Sequence, residues 1–419
     1  MIDVKPFKAI LYNREKFRDF SKLVCPPYDI ISKSAQRDYH RLSRYNFIRL
    51  ILSNIRPSDT KDNNRYTRSA KAFNDWLKKK ALVKDDSEGV YFYQQQYKHL
   101  GKSTDRCGFI GLLKIDKDLV RPHEHTHSKP KEDRLELIKK VKANLSPIFV
   151  LFPDIAGYIK KMAGLCSGSK PLISVKDAYG VLNRLWRVDD KKMLESLRVY
   201  MRDKDIFIAD GHHRFEVACL YRDMLKYNLP DFSERASYNY IMAYFTDMSA
   251  GSLTIMATHR LIKDINKGLS GRLLDKIAGG FVIEKAKNRK NFLELFETNS
   301  ATSGVFGLYF KKEFYLLRLN KPLPSDKFDC LDVSLFNRFL LAEVLGLTVE
   351  DKSIIYSADI SESIKLVDSG KAKIAFFLRP TKISQMKEVV LEKRKLPPKS
   401  TYFYPKLLSG LVVHKFETS

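Results

Sequence analysis

The six residues Ala209-Asp210-Gly211-His212-His213-Arg214 place a carboxylate, a glycine, two imidazoles and a guanidinium in one short run. The apolar stretch Ile206-Phe207-Ile208 before them reads as a strand, and Val217, Leu220, Tyr221 and Leu225 recur at helical spacing after them, over 214–227. Glycine at such a junction lets the backbone turn tightly or approach a ligand closely. The start of a helix adds free amide donors and a positive dipole end, both favourable for phosphate. His212, His213 and Arg214 add side-chain donors at the same point, and Asp210 supplies a carboxylate for magnesium or for a substrate hydroxyl. The bland alternative is a helix capped by Asp210 with incidental histidines.

A second constellation lies at Arg121-Pro122-His123-Glu124-His125-Thr126-His127, where three of the nine histidines alternate along the chain. In an extended segment they point to one side, with Glu124 and Thr126 on the other. Alternate imidazoles could bind a metal. They could equally contact phosphate while Glu124 serves as a base or holds magnesium.

Positioning these groups takes a sizeable α/β framework. Short strands are expected at 5–12, 46–52, 90–97, 106–115 and 147–152, with a two-strand stretch at 180–188 and further strands at 206–209, 238–245 and 253–257. Cys25-Pro26-Pro27-Tyr28-Asp29 reads as a stiff loop, because paired prolines cannot sit in a central strand or helix interior. Helices are expected from Lys33 with Ser32 as cap, through Ala70, Phe73, Trp76 and Leu77, and over 132–141. A hairpin is expected within 304–319, a helix at 333–345 and a strand at 374–378. The domain reading is a catalytic core at 1–260, a smaller α/β lobe at 261–320 and a C-terminal α/β portion at 321–419 that completes the core.

Composition fits a folded enzyme. The 419 residues are 44% hydrophobic and 12% aromatic, which excludes a disordered chain. Lys and Arg number 75 against 49 Asp and Glu, a net +26 that draws polyanions. The cations are spread along the chain, and the Lys78–Lys80, Lys139–Lys142 and Lys160–Lys161 groups interrupt amphipathic helical patterns, as solvated helix faces do. The five cysteines stand singly, with no Cys-x-x-Cys pair, which suits a reducing compartment and offers no zinc site. Neither a signal peptide nor a membrane span is legible, so the reading is a cytoplasmic protein without a membrane partner.

A strand ending in Asp-Gly-His-His-Arg and opening a helix resembles the ParB/sulfiredoxin superfamily, and the doubled histidine resembles the free L-serine kinases. Over nearly its whole length the chain also resembles a widespread bacterial family linked to serine metabolism. The shared motifs are Cys-Pro-Pro-Tyr-Asp at 25–29, Arg-Pro-His-Glu-His-Thr at 121–126 and Asn-Leu-Ser-Pro-Ile-Phe at 144–149. Ala-Asp-Gly-His-His-Arg at 209–214, Thr-His-Arg at 258–260 and Lys-Ser-Thr-Tyr-Phe-Tyr-Pro-Lys at 399–406 complete the set.

The resemblance implies a ParB/sulfiredoxin-like α/β core and a magnesium-dependent kinase that uses ATP or ADP to phosphorylate free L-serine. His212, His213 and Arg214 would contact nucleotide phosphates beside Gly211. Asp210 would bind magnesium, orient the hydroxyl or accept its proton, and Glu124 would be the favoured base and a second metal ligand. His123, His125, Lys129, Arg134, Asn144 and Ser146 are further candidate phosphate or substrate contacts, as are Lys399, Ser400 and Thr401. The chain carries no Walker A sequence, so such an enzyme would not use a P-loop. Two rivals remain at this stage. One is a nucleotide-gated nucleic-acid-binding protein, which needs a helix-turn-helix module soon after the phosphate turn. The other is a metal-dependent hydrolase built on His123, Glu124, His125 and His127.

Overall fold

The computed structural model describes residues 1–122, 128–248, 251, 253–299, 302–392 and 394–417. The chain has a mixed α/β architecture divided into two compact units. The first comprises Met1–Pro122, Thr126–Leu253 and Pro405–Ser419, and Thr254–Tyr404 makes up nearly all of the second.

A nine-stranded mixed sheet forms the first unit. Its order runs Val120–Pro122, Ile206–Asp210, Ile148–Phe152, Tyr240–Asp247, Lys102–Lys114, Val90–His99, Leu182–Val188 and Ile173–Lys176, with Val4–Lys5 also paired to Lys102–Lys114. Side chains alternate between faces with a period of two, and the two faces differ in chemistry. Phe109, Val150, Phe152, Ile208 and Phe245 enter an apolar core with Met162, Leu197, Phe215 and Ala218 from three helices. Phe109 and Phe245 stack at 4.8 Å between ring centroids. Tyr93, Gln95, Arg106, Phe149, Asn183 and Tyr244 are also buried but form a largely polar cluster.

A six-stranded antiparallel sheet forms the second unit, in the order Phe281–Lys285, Glu313–Leu319, Val305–Phe310, Ile374–Phe377, His259–Ile262 and Ile354–Ser357. Ile262, Phe306 and Phe376 pack into one apolar cluster, and Leu261, Val305 and Phe377 into another. Both faces are therefore covered, which explains why these strands are apolar at consecutive positions. The portions 261–320 and 321–419, read from the sequence as separate, both contribute strands to this one sheet. Residues 405–419 return to the first unit, where His414–Lys415 pairs with Ala143–Asn144.

Most expected elements are present, including Lys33–Leu42 capped by Ser32, Arg65–Lys78, Ser128–Val141 and the Val305–Phe310/Glu313–Leu319 hairpin. Three differ. The expected strand at 46–52 is a single helical turn, Ile48–Ile51, started by Asn46, whose Oδ1 accepts the Ile48 amide at 3.0 Å. A short apolar run that is buried all round carries no periodicity to separate the two forms. The stretch at 180–188 is one strand, Leu182–Val188, whose neighbour Ile173–Lys176 precedes it. Thr254–Met256 pairs with Tyr402–Tyr404 in the second unit, not with the core strands before it. Among the described residues no helix is long and apolar enough to cross a membrane.

Candidate functional site

The strand Ile206–Asp210 is buried along Ile206, Phe207, Ile208 and Ala209 and emerges only at Asp210. Its antiparallel register with Ile148–Phe152 shifts between Ile208, opposite Val150, and Asp210, opposite Phe149. Such a bulge re-aims the side chain that follows it, and here that side chain is Asp210. Gly211 then takes φ +92° and caps the helix His212–Asn228. A Cβ on Gly211 would lie 3.0 Å from Ile148 Cγ2 and 3.1 Å from the Arg214 guanidinium carbon. The glycine thus allows both the turn and the close seating of Arg214. Gly211→Ala is expected to cost about 1–3 kcal/mol through the positive φ alone and to displace Arg214; an unchanged urea midpoint would contradict this.

Arg214 Nη2 donates to Asp210 Oδ2 at 2.9 Å, and its Nη1 donates to the Pro147 carbonyl. Lys406 Nζ donates to the other carboxylate oxygen, Oδ1, at 2.7 Å. Both Asp210 oxygens are therefore held by cations. Burial pushes the Asp210 carboxyl up, but Lys406 and Arg214, with His212 behind them, outweigh it and hold the group well below the usual carboxylate range. His212 is buried at the first helical position, and His213 beside it is half-buried.

The Cys25–Asp29 loop flanks this turn. Tyr28 lies within electrostatic range of Asp210 and Arg214, and its ring sits 4.2 Å from the Arg134 guanidinium carbon. Burial, with Asp29 adding to it, pushes the Tyr28 phenol up to about 12. Arg134 is tied down on all three nitrogens. Nη1 donates to the Ile51 carbonyl at 2.7 Å, while Nε and Nη2 donate to Asp133.

The other sequence candidates divide by place. Asn144 Oδ1 accepts the Met242 amide at 3.0 Å, so it fastens two strands of the first unit. Ser146 shares a 2.7 Å hydrogen bond with Ser409. Lys399, Ser400 and Thr401 belong to the second unit. There the Lys399 carbonyl accepts from buried Arg260 at 3.2 Å, and Ser400 Oγ donates to the Pro397 carbonyl at 2.6 Å. His123, Glu124, His125 and His127 lie outside the described residues, as does the side chain of Lys129.

Asp210, expected as a magnesium ligand, meets two cations in this structure, one on each oxygen. Among the described residues no group of three or more His, Cys, Asp or Glu could hold a metal ion. Sequence reasoning missed Lys406 and Tyr28. Both stand inside the shared motifs, at the end of Lys-Ser-Thr-Tyr-Phe-Tyr-Pro-Lys and within Cys-Pro-Pro-Tyr-Asp, so the signal was available.

A family model described as "Protein of unknown function (DUF1015)" matches residues 4–334. No curated protein matches the chain. Among solved structures, a free serine kinase variant in complex with AMP is 12% identical, with 70% of this chain and 87% of that chain covered at a TM-score of 0.38. A conserved hypothetical protein from Pyrococcus furiosus is 13% identical over 71% of this chain and 91% of that one, at a TM-score of 0.36. SbnI with a C-terminal truncation, from Staphylococcus aureus, is 9% identical over 72% and 86%, at 0.37.

Proposed function

We propose, of a chain that belongs to the DUF1015 family, that it is a nucleotide-dependent phosphotransferase acting on a small hydroxylated metabolite, with free L-serine as the acceptor. The carrying observation is the strand-to-helix turn at Asp210–Gly211, where the N-terminus of a 17-residue helix coincides with Arg214 and two histidines. Backbone amides at a helix start, together with a fixed guanidinium, are what bound phosphate needs. The acceptor and the kinase assignment rest on the resemblance of the Asp-Gly-His-His-Arg turn to that of the free L-serine kinases.

In this reading the nucleotide phosphates bind over the start of the helix. His212, His213 and Arg214 offset the charge of the transferring group, work that is mostly positioning and electrostatics. The serine hydroxyl oxygen forms the new bond to the terminal phosphorus as the bond to the leaving nucleotide oxygen breaks. Glu124 accepts the hydroxyl proton. Asp210, bound to two cations and held ionised, is not the base; it aligns its partners.

The test is incubation of the purified chain with ATP or ADP and magnesium against each free amino acid, read by phosphoamino acid formation. Phosphoserine is expected, and Glu124→Gln should reduce its rate at least about 100-fold. No phosphorylated product from any amino acid with either donor would overturn the proposal.

A further inference from the structure

Among the described residues, the single carboxylate of Asp210 is shared by two cations. One carboxylate faces an ammonium, a guanidinium and the positive end of a long helix, with His212 within electrostatic range. Asp133 binds Arg65 and Arg134, and Glu216 binds Lys131 at 3.1 Å. The second of the two cations on Asp210, Lys406, comes from 196 positions away in sequence, and its side chain is only 10% exposed. Withdrawing a lysine from water is costly unless something offsets it.

Lys406 is also held by its backbone. Gln95 Nε2 donates to the Lys406 carbonyl at 3.1 Å, and Arg106 donates to the Pro405 carbonyl next to it. Gln95 and Arg106 are fully buried, and Arg106 also donates to Gln95. Asn183 Oδ1 accepts from Gln95 at 3.0 Å and from Tyr93 at 2.6 Å, which fixes the amide. The polar cluster on the central sheet thus fastens Pro405–Lys406 in register with the phosphate turn. An anchored backbone and a side chain fixed by a carboxylate give a pre-aimed ammonium, which loses little entropy on meeting an anion.

We propose that Lys406 is a phosphate-binding residue of this site, paired with Arg214 across the Asp210 carboxylate, and that its ligand is a phosphate group of the bound nucleotide. Asp210 is then the positioning residue that holds the two cations a fixed distance apart. The assignment rests on the nucleotide reading given above.

The experiment is calorimetric titration of ADP into the wild-type chain and into Lys406→Met and Lys406→Arg, with adenosine as the phosphate-free probe. Lys406→Met is expected to weaken ADP binding at least tenfold with adenosine binding unmoved, and Lys406→Arg to stay within about threefold of wild type. Equal ADP binding by a folded Lys406→Met overturns the assignment of Lys406 while leaving the nucleotide reading intact. Failure of the wild-type chain to bind ADP overturns the nucleotide reading and the assignment with it. Should Lys406→Met not fold, acylation of Lys406 in the wild-type chain, followed by mass spectrometry, decides the matter. ADP is expected to slow that reaction several-fold, and an unchanged rate overturns the assignment.

Discussion

Replacing Asp210 with alanine is expected to destabilise the first unit by about 3 kcal/mol, because it leaves Lys406 and Arg214 partly buried without their shared counter-ion. Trp76 and Trp186 are the only tryptophans and both belong to the first unit, so urea unfolding followed by tryptophan fluorescence reads this unit alone. Adding Lys406→Met to Asp210→Ala removes one of the two orphaned charges. The double variant should therefore be more stable than Asp210→Ala alone, a coupling that a double-mutant cycle measures directly. Simple additivity would mean that the 2.7 Å contact between Lys406 and Asp210 contributes nothing. The effect depends on pH in a fixed direction. The folded carboxyl is held low, so its stabilisation is present above the ordinary aspartate range, near pH 4, and is lost as pH falls below it.

Acid should also loosen both units well before Asp210 protonates. Burial lowers the His259 imidazole to about 4, with Arg260 adding to it, and burial lowers His414 to about 4 as well. His259 Nδ1 accepts the Leu378 amide at 3.3 Å, so a proton on that nitrogen would break the bond. His414 Nε2 lies 3.2 Å from the Ser237 carbonyl. The unfolded chain takes up these protons near pH 6.5, whereas the folded chain resists them to about 4. Stability from each histidine is thus complete above pH 6.5 and declines between 6.5 and 4, by roughly 3 kcal/mol at the low limit.

The two losses should appear in different signals. His414 belongs to the first unit and is read by tryptophan fluorescence, while His259 belongs to the second and is read by the part of the circular-dichroism change that fluorescence does not follow. His259→Asn keeps an acceptor for the Leu378 amide but removes the titration. Its unfolding midpoint should be lower at pH 7 and flatter between 6.5 and 4. A wild-type midpoint that does not move over this window would show that the two imidazoles do not bind protons as buried groups.

The strand-to-helix turn at Asp210–Gly211 was legible in sequence because its parts are local. A β-branched strand, Asp-Gly and a helical period occupy consecutive residues, and each constrains the next through backbone geometry alone. The reach of the central strands was legible for the same reason. Pairing was not: Thr254–Met256 looks like a core strand yet joins Tyr402–Tyr404, and its three residues do not specify a partner. The roles of Arg134, Asn144 and Ser146 were equally hidden. As residue types they suit phosphate or substrate, but each is engaged by a carbonyl, amide or hydroxyl that folding brings from elsewhere in the chain.

That Asp210, Gly211, His212, His213 and Arg214 share one strand-to-helix turn follows from the sequence, because covalent neighbours on such a junction cannot be separated. The partners of Asp210 follow only from the tertiary structure. Its electrostatic character depends on Lys406, which is distant in sequence and is delivered to the carboxylate by a C-terminal segment that leaves the second unit and rejoins the first. A carboxylate read in isolation carries no sign of its partners; in the folded chain a cation lies on each oxygen of Asp210. Charge acts through space, and the distances that set it are fixed by packing.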